Sequence, residues 1–459
     1  MKSEHGLKRV LSKRDVFVLA FGAMIGWGWI IQTGYWIDEA GALGSILAFV
    51  LGGILVAAVG LIYGELASAM PVVGGEHAYS LRALGSLGSF VCTWAIILGY
   101  VSVVAFEAVA LPSALAYLIP GFDAVELWRV AGVPVYGTWV AVGLLGSAVM
   151  TYLNYIGVRP AAQVQAVLTV VIALAGVTLV GGAVANGGPT GQAPMAGAGL
   201  AGVFTVALMT PFMFVGFDVI PQAAEEADVS SKYLAYLLVA AVVCAALFYI
   251  AVIWAAGRAM PGAALVESPL PAAAAMSSLF GSVTIGRIMA LAGVAGILTS
   301  WNAFVIGGSR AVFALADSGM LPAWLARTHP EHGTPANAVL LVGGIAALAP
   351  LFGEQMLVWV VNAGGLGIVV AWFLVVVSFL VLRRREPEMD RPLRLPAGYA
   401  VGAFGLLVTL FFLTLYLPGG GSALAWPYEW VIVGAWAALG VGLLALSDGS
   451  SEAAEPTRT

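Results

Sequence analysis

Two apolar segments far apart in the chain are interrupted in their middles. The first is Phe21-Gly22-Ala23-Met24-Ile25-Gly26-Trp27-Gly28-Trp29-Ile30, and the second is Pro211-Phe212-Met213-Phe214-Val215-Gly216-Phe217-Asp218-Val219-Ile220-Pro221. A helix in hydrocarbon can give up its own hydrogen bonds only where protein or a water-filled cavity takes over the freed N–H and C=O groups. Breaks of this kind at the first segment of each half of a chain point to the discontinuous helices of a secondary transporter built from inverted repeats.

The breaks carry that meaning only if the segments cross a membrane, and composition says that they do. The 459 residues are 61% hydrophobic and 9% charged, against roughly 25% charged in soluble domains. Twelve stretches suit spanning helices of about 20 residues: 15–37, 42–68, 87–119, 135–153, 161–185, 200–224, 233–257, 283–316, 335–352, 355–382, 397–417 and 427–446. Lys8-Arg9 and Lys13-Arg14 precede the first stretch, but it is too long for a cleaved leader and runs into a second span. With a cytoplasmic N-terminus, the loops bearing Arg82, Arg159, Lys232, Arg310 with Arg327, and Arg383-Arg384-Arg385 with Arg391 and Arg394 fall inside. That leaves only Arg129, Arg258 and Arg287 of the nineteen Lys and Arg residues outside, as the positive-inside rule requires. Both termini are then cytoplasmic, including the acidic tail after Leu446, and the chain belongs in the cytoplasmic (plasma) membrane.

One transmembrane domain accounts for residues 1–459. A five-plus-five organisation puts repeat one at about 15–185 and repeat two at about 200–382, with two appended helices at about 397–446. The longest polar insert, Arg383 to Arg394, is a charged connector. Cys92 and Cys244 lie inside spans and define no disulfide. The histidines His5, His77, His329 and His332 have no metal-ligand spacing, and no Gly-x4-Gly-Lys-Ser/Thr run supports a nucleotide-driven pump. Neither a cofactor, a metal nor a nucleic-acid partner is expected.

The breaks, together with Gly74-Gly75-Glu76-His77-Ala78-Tyr79 and the run from Ser309 to Pro322 into Gly333-Thr334-Pro335-Ala336-Asn337-Ala338, resemble the amino acid–polyamine–organocation transporter superfamily. The landmarks occur in that family's order and spacing from Gly22 to Asn337. The resemblance implies an all-α integral membrane protein with twelve helices in a LeuT-like fold. Its discontinuous helices 1 and 6 would cradle an amino acid or small amine, and protons or a counter-substrate would drive transport. Two departures stand out. Trp27 sits between the glycines where many members have a small residue. Ile172, by a gapless reading of the fifth span, replaces a lysine whose ammonium stands in for sodium in several proton-coupled members.

The candidate substrate residues are Ile25, Gly26, Trp27, Gly28, Glu107, Phe212, Val215, Gly216, Phe217, Asp218, Trp301 and Phe304. N–H groups around Gly26 and Gly28 suit a carboxylate at a half-helix start, although glycines also serve as packing residues in membrane helices. Unpaired carbonyls at Val215, Gly216 and Phe217 suit an ammonium group. By the resemblance, Phe212 is an aromatic lid, and Phe304, with Trp301 a turn before it, an aromatic wall; packing is the alternative for each. Asp218 and Glu107 lie deep in spans, where a carboxylate is costly unless paired or protonated, so both are coupling or proton candidates. Asp218 either gates and senses protons or simply accepts freed backbone N–H groups. Glu107 pairs a cationic solute, carries a proton, or bonds another helix. Glu65, Glu225 and Glu226, near cytoplasmic helix ends, are expected to be structural.

A transporter working by alternating access is the leading reading. A transporter-fold sensor that binds an amine or amino acid without moving it is the alternative. A membrane enzyme lacks any nucleophile–base pair or metal set, and a channel would need a continuous polar path.

Overall fold

The computed structural model describes residues 7–187, 199–420 and 423–446. The predicted junction around 185–200 lies largely outside them, and the acidic tail wholly so. In chain order the helices are α1 (Lys13–Met24), α2 (Gly28–Ala69), α3 (Glu76–Leu118), α4 (Gly137–Tyr155), α5 (Val158–Asn186), α6 (Leu200–Phe214) and α7 (Val219–Gln222). They continue with α8 (Ser231–Ala259), α9 (Gly262–Val266), α10 (Pro271–Phe280), α11 (Val283–Asp317), α12 (Ala336–Ala346), α13 (Met356–Arg385), α14 (Gly398–Leu415) and α15 (Tyr428–Leu446). The helical expectation holds, with one addition: an antiparallel hairpin of β1 (Glu126–Val130) and β2 (Val133–Tyr136) precedes α4.

Among the described residues nine helices, some with short extensions, are long and apolar enough to cross a membrane. That is fewer than the twelve expected stretches, in part because α2 is continuous. Its 42 residues would reach about 60 Å if straight, twice a bilayer core. It is not straight. Gly41, at φ 71° and ψ 166°, turns the chain so sharply that Ser45 Oγ donates to Trp36 O at 2.6 Å, nine residues away. Two arms result, divided at the gap expected between 37 and 42. Gly85 (φ 77°) bends α3 similarly, bringing Ser89 Oγ within 2.9 Å of His77 O, so that helix begins at Glu76 rather than 87.

Local chemistry sets several ends. Ser12 and Asp15 form a capping box that starts α1, satisfying two of the otherwise unpaired N–H groups at a helix start. Ion pairs shape the face on which the termini are expected. Glu65 gathers Arg383 (2.5 Å), Arg391 (3.1 Å) and the Leu395 amide (2.8 Å), folding the basic connector onto α2. Arg310, expected in a loop, is instead fully buried on α11 and clasps buried Glu226 at 2.7 and 2.9 Å. The segment before α1 seals this pair: Val10 and Leu11 amides donate to Glu226 O, and the Asp228 amide donates to Leu11 O. The structural reading of Glu65 and Glu226 fits these contacts. In the core, α3 runs along α11 and α13, and α2 along α6 and α8.

Candidate functional site

The two helix breaks meet. Between α1 and α2 the chain is non-helical at Ile25-Gly26-Trp27, and between α6 and α7 at Val215-Gly216-Phe217-Asp218. Gly216 takes φ 129°, and a Cβ there would stand 2.7 Å from Ala23 Cβ, so glycine is required twice over, by conformation and by contact. Tyr249 of α8 ties the breaks together. Its hydroxyl lies 2.7 Å from Met24 O and 3.2 Å from Met213 O, sharing one O–H between carbonyls at the ends of α1 and α6 that otherwise lack intrahelical donors.

The first break lies on one face of α11. Gly293 makes room for the Trp27 ring and Gly296 for the Gly26 backbone. One and two turns further on, Ser300 and Phe304 face the same way. A Cβ on Gly26 would fall 2.5 Å from Ser300 Oγ, which matters because that hydroxyl donates to Glu107 Oε1. Glu107, on α3, is 2% exposed, and its Oε2 has no hydrogen-bond partner in the protein.

These groups enclose a cavity of about 180 Å³, comparable to the engineered cavity of about 150 Å³ that holds a benzene. Of the expected residues, Gly26, Trp27, Gly28, Glu107, Phe212, Val215 and Phe304 line it. Ile25, Gly216, Phe217, Asp218 and Trp301 do not. Gly216 spends its surface on Ala23 and Met24. Phe217 packs between Tyr63 and Trp372, away from the cavity. Asp218 is fully buried, accepting from the Gly216 amide at 2.9 Å and Trp372 Nε1 at 3.2 Å. That is the geometry of a carboxylate holding the unwound turn. Trp301 is rotated about 100° from Ser300 and lies against Gly146 of α4. The residue one turn before Phe304 that shares its face is Ser300.

Sequence reasoning passed over Ser300, Tyr249, Gln32 and Asn362, all of which line the cavity. The small-residue pattern Gly293-x-x-Gly296 leading to Ser300 was the available signal for the α11 face. Ile172 is fully buried, and on the same helix Gln165 and Thr169 crowd Gly22 of α1. No group of three His, Cys, Asp or Glu suited to a metal occurs among the described residues.

The amino acid permease family model matches residues 15–432, which takes in both breaks and every lining residue. The chain belongs to the amino acid permease family. Among its relatives, the branched-chain amino acid permease BcaP of Bacillus subtilis is 28% identical over 438 residues, covering 94% of this chain and 92% of that protein. The methylthioribose transporter of the same organism is 27% identical over 419 residues, with 90% and 89% covered. The lysine-specific permease LysP of Escherichia coli is 25% identical over 404 residues, with 83% and 79% covered. This permease is therefore an integral membrane transporter of small molecules and not an enzyme.

Proposed function

We propose that this permease carries a small amine-bearing solute, an amino acid or a small amine, across the cytoplasmic membrane by alternating access, driven by a proton gradient or by exchange. The observation that carries the reading is the cavity at the two meeting breaks, where the buried Glu107 Oε2 lacks a partner. An unpaired buried carboxylate oxygen calls for a cation or a donor, and a second ammonium group, or the amine of a solute that lacks a carboxylate, supplies both, the α-ammonium of an amino acid being left to the carbonyls of the second break. The amides that open α2 at Gly28 suit the carboxylate of an amino acid, since the N-terminal amides of a helix lack internal partners. BcaP and LysP are named as permeases of amino acids, in keeping with that class.

In this reading the chain is one domain that crosses the bilayer twelve times, as two repeats of five plus two appended helices, with lipid around its exposed apolar side chains and both termini in the cytoplasm. The Arg310–Glu226 pair, covered by Val10 and Leu11, is the shut inner gate. Opening would part α7 from α11, breaking this pair and releasing the segment before α1, while the scaffold stays in place.

Thermal-shift screening against an amino acid and amine library would find the ligand, since a ligand that binds only the folded state raises its stability. Proteoliposomes loaded with the hit should then show saturable uptake and counterflow of its labelled form. Saturable binding with no flux in either direction would identify a sensor in place of a transporter.

A further inference from the structure

A second buried polar nest lies apart from the cavity, with no residue shared between them. Glu76 opens α3, Gln222 closes α7, and the two are joined through Gln222 Nε2, which donates to Glu76 Oε2. The Gly74 amide donates to Gln222 O at 3.3 Å, so α7 is docked on the turn that precedes Glu76. Tyr63 of α2 lies against Tyr79 of α3, with ring centroids 6.5 Å apart, and these two and Tyr100 of α3 are within electrostatic reach of Glu76. Five buried oxygens there have no hydrogen-bond partner: Glu76 Oε1, Gln222 Oε1 and the hydroxyls of Tyr63, Tyr79 and Tyr100.

Charge is as unbalanced as hydrogen bonding. Glu76 and Asp218 are both 0% exposed, and the titratable groups facing Glu76 are Asp218, Tyr63, Tyr79, Tyr100 and Cys92, none of them a cation. His77, its neighbour in sequence, is engaged by Ser89 through Nδ1 at 2.9 Å. The buried Arg310 is clasped by Glu226 through Nε and Nη2, and its Nη1 donates to Ser309 Oγ. Two adjacent carboxylates without a counter-charge do not both stay ionised away from water. Asp218 has the Gly216 amide and the Trp372 indole as donors, which favours its anion. Glu76 has the Gln222 amide as its one side-chain donor at full hydrogen-bond geometry, with the Tyr63 hydroxyl beside it.

We propose that Glu76 carries the coupling proton of this permease, held between the orphaned tyrosine hydroxyls and Gln222 while the inner gate is shut. The inference rests on the transport reading and names the group that reading left open. When α7 leaves the Gly74–Gly75 turn, Glu76 loses its amide partner, meets cytoplasmic water and releases the proton. The cycle closes when Glu76 is reprotonated from the outer side before the next turnover, so that one proton crosses per cycle without bonding to the solute. Asp218 keeps the unwound turn in shape throughout.

The test uses the full chain with two readouts. In infrared difference spectra between mildly acidic and mildly alkaline buffer, the wild type should show a protonated carboxyl band that is lost in Glu76→Gln. In proteoliposomes taking up labelled L-lysine or L-isoleucine, an imposed inward proton gradient should stimulate the wild type. Glu76→Gln should keep counterflow and lose the stimulation. Persistence of both the band and the stimulation in Glu76→Gln overturns the proposal, as does wild-type uptake driven by sodium and indifferent to pH, which would put a sodium ion on the same oxygens. Should Glu76→Gln fail to fold, Tyr63→Phe serves, and an unmoved titration midpoint of the band in that variant counts against the proposal. If neither probe is moved by the wild type, the transport reading is at fault, while the infrared band still decides whether Glu76 holds a proton.

Discussion

Replacing Glu107 with glutamine separates a charge selector from a structural carboxylate. The amide keeps the size of the side chain and can still accept from Ser300 through one oxygen. At the other position it puts an NH2 donor where Oε2 now stands without a partner. A hydrogen bond to a charged group is worth about 1.5–3 kcal/mol. At about 1.4 kcal/mol per tenfold, its loss weakens a ligand that places a cation on Oε2 by roughly 10- to 150-fold. The unliganded protein moves the other way or not at all, because an amide costs less to bury than an incompletely paired carboxylate. Differential scanning fluorimetry measures both at once. The melting temperature without ligand should be unchanged or raised, while the ligand-induced rise shrinks steeply for L-lysine and putrescine and only slightly for L-isoleucine. Equal losses for all three ligands, or none, would show that Glu107 does not read solute charge, and a large fall in the unliganded melting temperature would show that it is structural.

Trp27→Ser should enlarge the cavity and admit bulkier amino acids in competition binding, at about 3–5 kcal/mol of stability for the lost ring; an unchanged ligand profile would identify Trp27 as packing for Gly293. Tyr249→Phe removes the hydroxyl shared by Met24 O and Met213 O and should cost about 1–3 kcal/mol, weakening all ligands alike, which an unchanged melting curve with unchanged affinities would contradict. Arg310→Met leaves Glu226 buried and unpaired, at a cost of about 3–5 kcal/mol, and should raise hydrogen exchange at residues 7–12 and 219–228. Adding Glu226→Leu should recover most of that stability in denaturation measurements, and no recovery would mean that the ion pair is not the source of the loss.

The class of this protein was legible without coordinates because hydrocarbon imposes a local rule. Every backbone polar group must be satisfied within its own helix unless protein or water takes over. Long apolar runs with few charges can only be helices, and the glycines at Gly26, Gly28 and Gly216 mark where helices give way. Both breaks, the turn between the arms of α2 and the place of Glu107 within a long apolar helix follow from neighbours in sequence. Which side chains meet does not. In a soluble helix the polar face reports which way it is turned, but a membrane helix is apolar toward lipid and toward protein alike, so periodicity says little about rotation. That is why Trp301 and Ser300 exchange roles on α11, and why Asp218 is spent on the Gly216 amide and the Trp372 indole. It is also why Glu76, placed by sequence in a loop, sits under α7 beside a second buried carboxylate. Packing alone decides these contacts, because close approach at Gly216, Gly293 and Gly296 fixes the rotation of each helix about its axis.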